Sequence, residues 1–279
     1  MATINATVYD TAALAEAAID ALDSSIDARI ESFEDRGVQK FLLVIPPTRT
    51  TLFKTGFNAD VDAAEEDLWA VGGTYVFPTA EMGMEVVSSS ADDTAEGTGA
   101  RTVKIWYLDD EFNEKSEIVT LNGVTPVATT ATDIYRVNAF RVLTAGSGGA
   151  PAGNIDIRNL ADTPIYSRIP IGLNRARNSI YTVPKSKTLY INALTFSSGN
   201  STGGTYCRFT LRAKYDDIGS AASSLFYPYY EIGIEDCPYE ACLETPIRLP
   251  AGVDIKISVI GDANNSNAIC TGAYRGWLE

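Results

Sequence analysis

The sequence predicts a mainly β protein, with an N-terminal helix followed by two β-sandwich modules of jelly-roll type. Three observations carry this. A long helical apolar period occurs near the N-terminus, and from about residue 70 the period falls to two and stays there. Short runs rich in Val, Ile, Thr and aromatic residues then recur at intervals of about ten residues, with Gly, Asn, Asp and Ser between them.

Residues 1–74 read as a helical, anchoring segment. Asp10 or Thr11 suits an N-cap and Gly37 a C′ position. Between them Ala12, Ala15, Ile19, Leu22, Ile26, Ile30 and Phe33 recur in steps of 3, 4, 3, 4, 4 and 3, close to a heptad seam. Asp20, Asp23, Asp27, Glu31 and Glu34 fall on the other faces. Ile19, Leu22, Ile26, Ile30 and Phe33 are therefore the expected packing stripe. It could lie against the chain's own fold, or against a second copy or another protein. Lys40 to Ile45 suits a strand stopped by Pro46-Pro47. The acidic run Asp60, Asp62, Glu65, Glu66, Asp67 is spaced with Val61, Ala64 and Leu68 as the outer face of a helix. It lacks the glycine and the spacing of an EF-hand loop.

Residues 75–160 read as the first sandwich. Its strands are expected at Arg101–Leu108, at Lys115–Leu121 before the turn dipeptide Asn122-Gly123, at Ile134–Leu143 and at Asn154–Arg158. The Gly-rich stretch 145–153 reads as a loop, because no Lys-Ser/Thr ending follows to make it a phosphate cradle. Residues 161–279 read as the second sandwich. Strands are expected from Ser179, Thr188, Tyr206, Tyr229, Ile247, Val253 and Ala268 onward. In the Val253 run, Asp254, Lys256 and Ser258 alternate with Val253, Ile255, Ile257 and Val259, the pattern of a half-buried strand.

Composition excludes several classes of function. The 279 residues contain no histidine, which removes Ser-His-Asp and Cys-His nucleophiles and His-ligated metals. Lys+Arg 22 against Asp+Glu 36 gives a net charge of −14, which opposes binding to nucleic acid or to an anionic membrane. No run approaches the ~18 apolar residues of a membrane span. Asp109-Asp110-Glu111, Asp92-Asp93 and Asp216-Asp217 read as solvated turns, since adjacent carboxylates do not face each other across a substrate gap. Cys237 and Cys242 are four residues apart and lack the spacing of a zinc knuckle. Together with Cys207 and Cys270 they suit free thiols or one local disulfide. Phe226, Tyr227, Tyr229 and Tyr230 suit core or interface packing, with a sugar platform as the other reading. The expectation is a non-enzyme with no cofactor and no metal.

Two stretches carry a resemblance. One runs from Val86-Val-Ser-Ser-Ser-Ala-Asp-Asp-Thr to Arg101-Thr-Val103 and on to Leu108-Asp-Asp and Glu117-Ile-Val-Thr-Leu-Asn-Gly123. The other is Arg168-Ile-Pro-Ile-Gly172 with Tyr181-Thr-Val-Pro-Lys-Ser-Lys-Thr-Leu-Tyr190. Together they resemble virion structural proteins of tailed bacteriophages, of the minor capsid or decoration type, over roughly residues 75–200. The resemblance implies a capsid cement or decoration protein. It would contact the major capsid protein or another virion protein, form a homo-oligomer such as a trimer, and reside in the virion after assembly in the host cytoplasm. It implies no active-site residue. The alternative is a tail, fibre or receptor-binding protein with a glycan-binding jelly roll.

Overall fold

The computed structural model describes residues 49–199, 206–214, 225–262 and 268–279. The chain divides into two compact units, Met1–Pro47 and Thr48–Glu279, and the described residues belong to the second. The expected N-terminal helix and the Lys40–Ile45 strand lie outside the described residues.

The elements described are strands. In chain order they are β1 (Thr50–Val61), β2 (Glu66–Asp67), β3 (Met84–Ser88), β4 (Ala100–Leu108), β5 (Glu114–Thr120), β6 (Val127–Ala128), β7 (Arg136–Ala145) and β8 (Ile155–Asn159). They continue with β9 (Ile165–Ile169), β10 (Tyr181–Thr182), β11 (Leu189–Gly199), β12 (Tyr206–Lys214), β13 (Tyr227–Glu235), β14 (Tyr239–Leu249), β15 (Asp254–Gly261) and β16 (Ala268–Leu278).

Two sheets form the larger sandwich. One has the order β1-β16-β11-β14. The other has the order β10-β15-β12-β13, with β2 also paired to β15. Every pairing is antiparallel. From β1 to β10, and onward to β16, the chain crosses to the other sheet at every step except the β12–β13 hairpin. Eight strands connected in this way make a jelly roll. The inner faces follow the two-residue period. Cys207, Phe209, Leu211 and Ala213 of β12 meet Leu189, Ile191, Leu194 and Phe196 of β11 in one core. The Phe196 and Phe209 rings stack across it at 5.1 Å. Each fully buried Leu, Ile or Phe contributes about 1.5–3 kcal/mol.

The smaller module is inserted between β1–β2 and β10. Its sheets have the orders β6-β3-β8-β9 and β5-β4-β7. They enclose a second core that includes Met84, Val86, Val103, Ile105, Phe140, Ile155 and Ile157. The chain enters and leaves this module side by side, where Trp69 bridges Asn178.

The structure therefore differs from the sequence reading at three places. Thr50–Val61 and Glu66–Asp67 are strands, not part of a helical segment, and the first strand of the jelly roll precedes the inserted module. Val61 and Leu68 reach the jelly-roll core from strand ends, and Asp67 is buried because β2 pairs with β15. Residues 165–180, expected in the second sandwich, pack in part on the core of the first, through Ile165, Tyr166, Ile169 and Ile180. Strand β15 is not half-buried: Asp254, Lys256 and Ser258 are 1%, 7% and 1% exposed. Residues 62–78 and the inserted module cover the face that alternation alone assigned to water.

Candidate functional site

The carboxylates singled out from the sequence are tied into structure. Asp93, expected on a solvated turn, is fully buried. It accepts hydrogen bonds from Ser88 Oγ at 2.6 Å and from the backbone amides of Ala100, Ala152 and Gly153 at 2.7, 2.9 and 3.0 Å. It thereby ties the Ser88–Ala100 loop to the Gly-rich loop. A side chain at Gly99 would run into its Oδ1.

Asp109 accepts from the amides of Glu111 and Asn113 at 3.1 and 2.9 Å and from Lys115 Nζ at 2.9 Å. Burial raises its pKa, but hydrogen bonds from Lys115 and Asn113 prevail and hold it at about 2. Lys115 also reaches Asp133 at 2.6 Å, and Glu111 pairs with Lys185 at 2.9 Å. These groups are committed to ion pairs and turn geometry. Among the described residues, no group of three or more Asp, Glu or Cys is placed to hold a metal ion.

Cys207 and Cys270 are buried with their sulfurs 3.5 Å apart across the two sheets, while Cys237 and Cys242 are exposed, and all four are free thiols. The hydrogen bond that Cys270 donates to Cys207, together with burial, pushes the Cys270 thiol far up. Phe226 packs on Phe77 at 5.3 Å and beneath Lys256 Nζ at 4.9 Å. Tyr230 stacks on Phe196 at 6.4 Å, whereas Tyr227 is 50% exposed. Asp216-Asp217 and the stripe Ile19, Leu22, Ile26, Ile30, Phe33 lie outside the described residues.

The structure brings together groups that the sequence did not connect. Strand β7 of the inserted module faces β15 of the jelly roll. Arg136 makes a two-pronged ion pair with Asp254, Nε to Oδ1 and Nη2 to Oδ2, both at 2.9 Å. Thr182 Oγ1 donates to Asp254 at 2.5 Å, and Arg136 Nη1 donates to the Pro78 carbonyl at 2.7 Å. One turn of the pleat away, Asn138 and Thr182 exchange hydrogen bonds at 2.8 and 2.9 Å. On the same face of β15, Lys256 pairs with Asp67 at 2.9 Å, and Asp67 also accepts from Ser258 Oγ and the Tyr75 amide. A buried carboxylate is tolerated where opposite charge and hydrogen bonds replace its water.

Beside this junction lies a cleft of about 330 Å³. β1 supplies Thr50 through Thr55, the inserted module supplies Trp106, Glu114 and residues 137–141, and the approach to β10 supplies Arg175, Asn178 and Tyr181. Lys54, half-buried, donates to the Asn138 carbonyl at 2.9 Å and lies 5.8 Å from the Tyr181 ring. Arg141 and Arg175 are exposed, and an isolated antiparallel bridge joins Arg141 of β7 to Arg175. Arg141 also lies over the Trp106 ring at 5.6 Å. Among the described residues none of the three cations has an ion-pair partner. Burial, with the charges of Arg175 and Arg141 added, pulls the Lys54 amine down to about 7. Sequence reading missed this constellation because its members are dispersed over three separate segments. The local signal is a lysine placed between apolar and threonine residues, in Thr51-Leu-Phe-Lys-Thr55.

No family model and no curated protein matches the chain. Among solved structures, one of the infectious bursal disease virus Gt strain aligns at 10% identity over 82% of this chain and 70% of that chain, with a TM-score of 0.17. The structure of T=1 particles derived from infectious bursal virus aligns at 12% identity over 83% of this chain and 68% of that chain, with a TM-score of 0.18. Similarity at these scores carries no argument about fold or role.

Proposed function

We propose that the chain is a structural virion protein, of the cement or decoration type, that stabilises a shell through symmetric protein–protein contacts and performs no chemistry. The observation that carries this reading is the strand connectivity. It is an eight-stranded jelly roll, an architecture used by viral capsid and lectin domains, with a second β module locked onto it by the buried Arg136–Asp254 ion pair. The resemblance of residues 75–200 to tailed-phage virion proteins points the same way. Fold alone does not assign a role, but a rigid two-module body suits a part that works by position. Two features suit lateral assembly. The edge strands β13 and β14 each carry a proline, Pro228 and Pro246, beside an irregularity in their pairing, which discourages open-ended strand addition. Side-chain faces are then left as the means of contact, and the stripe Ile19, Leu22, Ile26, Ile30, Phe33 is the proposed seam.

Sedimentation equilibrium tests the proposal. The full chain is expected as a closed oligomer, a trimer in this reading, and Ile26→Asp as a folded monomer. A folded Ile26→Asp variant that assembles normally removes the stripe from the interface. Copy number in purified particles separates the two virion readings. On the order of hundreds place the protein on the shell, and about a dozen or fewer place it on the tail. The tail or receptor-binding reading is favoured by one observation, the cleft lined by cations and aromatic rings.

A further inference from the structure

We propose that the cleft between the jelly roll and the inserted module binds an acidic sugar, a hexose-sized ring bearing a carboxylate or sulfate. The inference holds wherever the protein sits in a particle.

Three features support it. First, charge: Lys54, Arg141 and Arg175 converge on one concavity against the single carboxylate Glu114, on a chain whose net charge is −14. Like charges gathered without counter-ions repel, and an entering oxyanion relieves that repulsion. Second, size: about 330 Å³ exceeds what a bare phosphate or acetate fills and falls at the low end of small-ligand sites. Third, lining: the exposed Phe53 and the half-buried Trp106 bring aromatic rings to the cleft, and Thr50, Thr51 and Thr55 are among its lining residues. A sugar ring presents apolar C–H faces and a rim of hydroxyls, so it matches both. Phe53, 55% exposed on β1, is then an aromatic available at the edge of the cleft.

The lining also argues against a nucleic-acid phosphate backbone. That ligand needs cations strung along a track, and here three line a single cleft. The two guanidiniums are suited to a planar or trigonal oxyanion because each presents a fixed fork of donors.

Calorimetric titration of the full chain with glucuronate, glucose and inorganic phosphate tests the proposal. Glucuronate is expected to bind saturably, at least tenfold more tightly than either glucose or phosphate. Arg175→Gln and Arg141→Gln are each expected to weaken it about tenfold or more without changing the melting temperature, while Arg248→Gln on β14 leaves it unchanged. Several results would overturn the proposal: no saturable binding of glucuronate, equal binding of glucose, phosphate as tight as glucuronate, or undiminished binding by both cleft variants. Titrating a glucuronate-containing oligosaccharide in parallel distinguishes a site for one ring from one that reads a longer glycan.

Discussion

Asp93 and Lys54 show how far one residue's role depends on what folds around it. Asp93 accepts three backbone amides and one hydroxyl with no solvent access. Asp93→Ala leaves those donors buried and unsatisfied at ~1–3 kcal/mol each. The expected loss is at least about 3 kcal/mol in urea denaturation, with Asp93→Asn intermediate because one acceptor oxygen survives. Nothing in Ser-Ser-Ser-Ala-Asp-Asp-Thr distinguishes Asp93 from Asp92, so a solvated turn was the natural reading of both. The difference comes from the Gly-rich loop about fifty residues later in the chain.

Lys54 behaves in the opposite sense. Its amine is pulled from 10.5 down to about 7 by burial and then by Arg175 and Arg141, with Glu114 the one carboxylate lining the cleft. Between those two values the unfolded chain binds the proton and the folded one releases it. Stability therefore rises with pH across that window, and the full cost of the charged amine is present below pH 7. Lys54→Met keeps the stem and removes the charge. It is expected to exceed the parent by about 1 kcal/mol at pH 6, or a ~2–4 °C higher melting temperature, with the gain fading as the pH approaches 10. Equal gains at both ends of that range would show that the amine is well solvated.

At the scale of elements, β15 and β1 carry the argument. Period-two alternation told correctly that β15 is a strand, since Ile255, Ile257 and Val259 do face the core, whereas β1 fell within the stretch read as helical. Alternation cannot tell which faces meet water. The polar face of β15 carries Asp254 and Lys256 into the buried contact with Arg136 and Asp67. Removing one partner of such a pair costs ~3–5 kcal/mol, whereas replacing both by apolar groups costs far less. Arg136→Met is therefore expected to lose about 3 kcal/mol or more. Arg136→Met combined with Asp254→Leu should recover much of that loss, and the double-mutant cycle measures the coupling directly.

On β1, Gly56 sits opposite Gly272 of β16. A Cβ at Gly56 would run into the Leu68 backbone and side chain and Ser179, and one at Gly272 into the Leu68 side chain. The glycine pair makes the hollow that Leu68 fills. Gly56→Ala is expected to destabilise by ~1–3 kcal/mol through overpacking, although Ala suits a strand no worse than Gly. Reading β1 and β2 from sequence failed for a related reason. The Val61, Ala64, Leu68 spacing mimics a helix face, while the true partners of Val61 and Leu68 come from strands more than a hundred residues later.

For the whole molecule, the discontinuity decides the mechanics. A chain read in order places one sandwich after the other, and nothing local marks β1 as the first strand of a fold that resumes at Tyr181. The consequence is that the inserted module is held where the chain enters and leaves it, by the Trp69–Asn178 bridge, and again at the β7–β15 contact and by the Asn138–Thr182 hydrogen bonds. Two cores joined by two strands of chain and by a buried charge pair should open together. Native-state hydrogen exchange tests this. The slowest amides of Ile105 in the inserted core and Phe209 in the jelly-roll core are expected to share one opening free energy. Arg136→Met leaves Asp254 buried without its counter-ion, and the cost falls on the contact that joins the modules. In that variant the Ile105 amide should open well before Phe209, splitting one class into two. Two classes already present in the parent would mean that the modules open independently and that the junction only orients them. A single class in the parent that splits in Arg136→Met would make the buried ion pair the element that turns two sandwiches into one mechanical body.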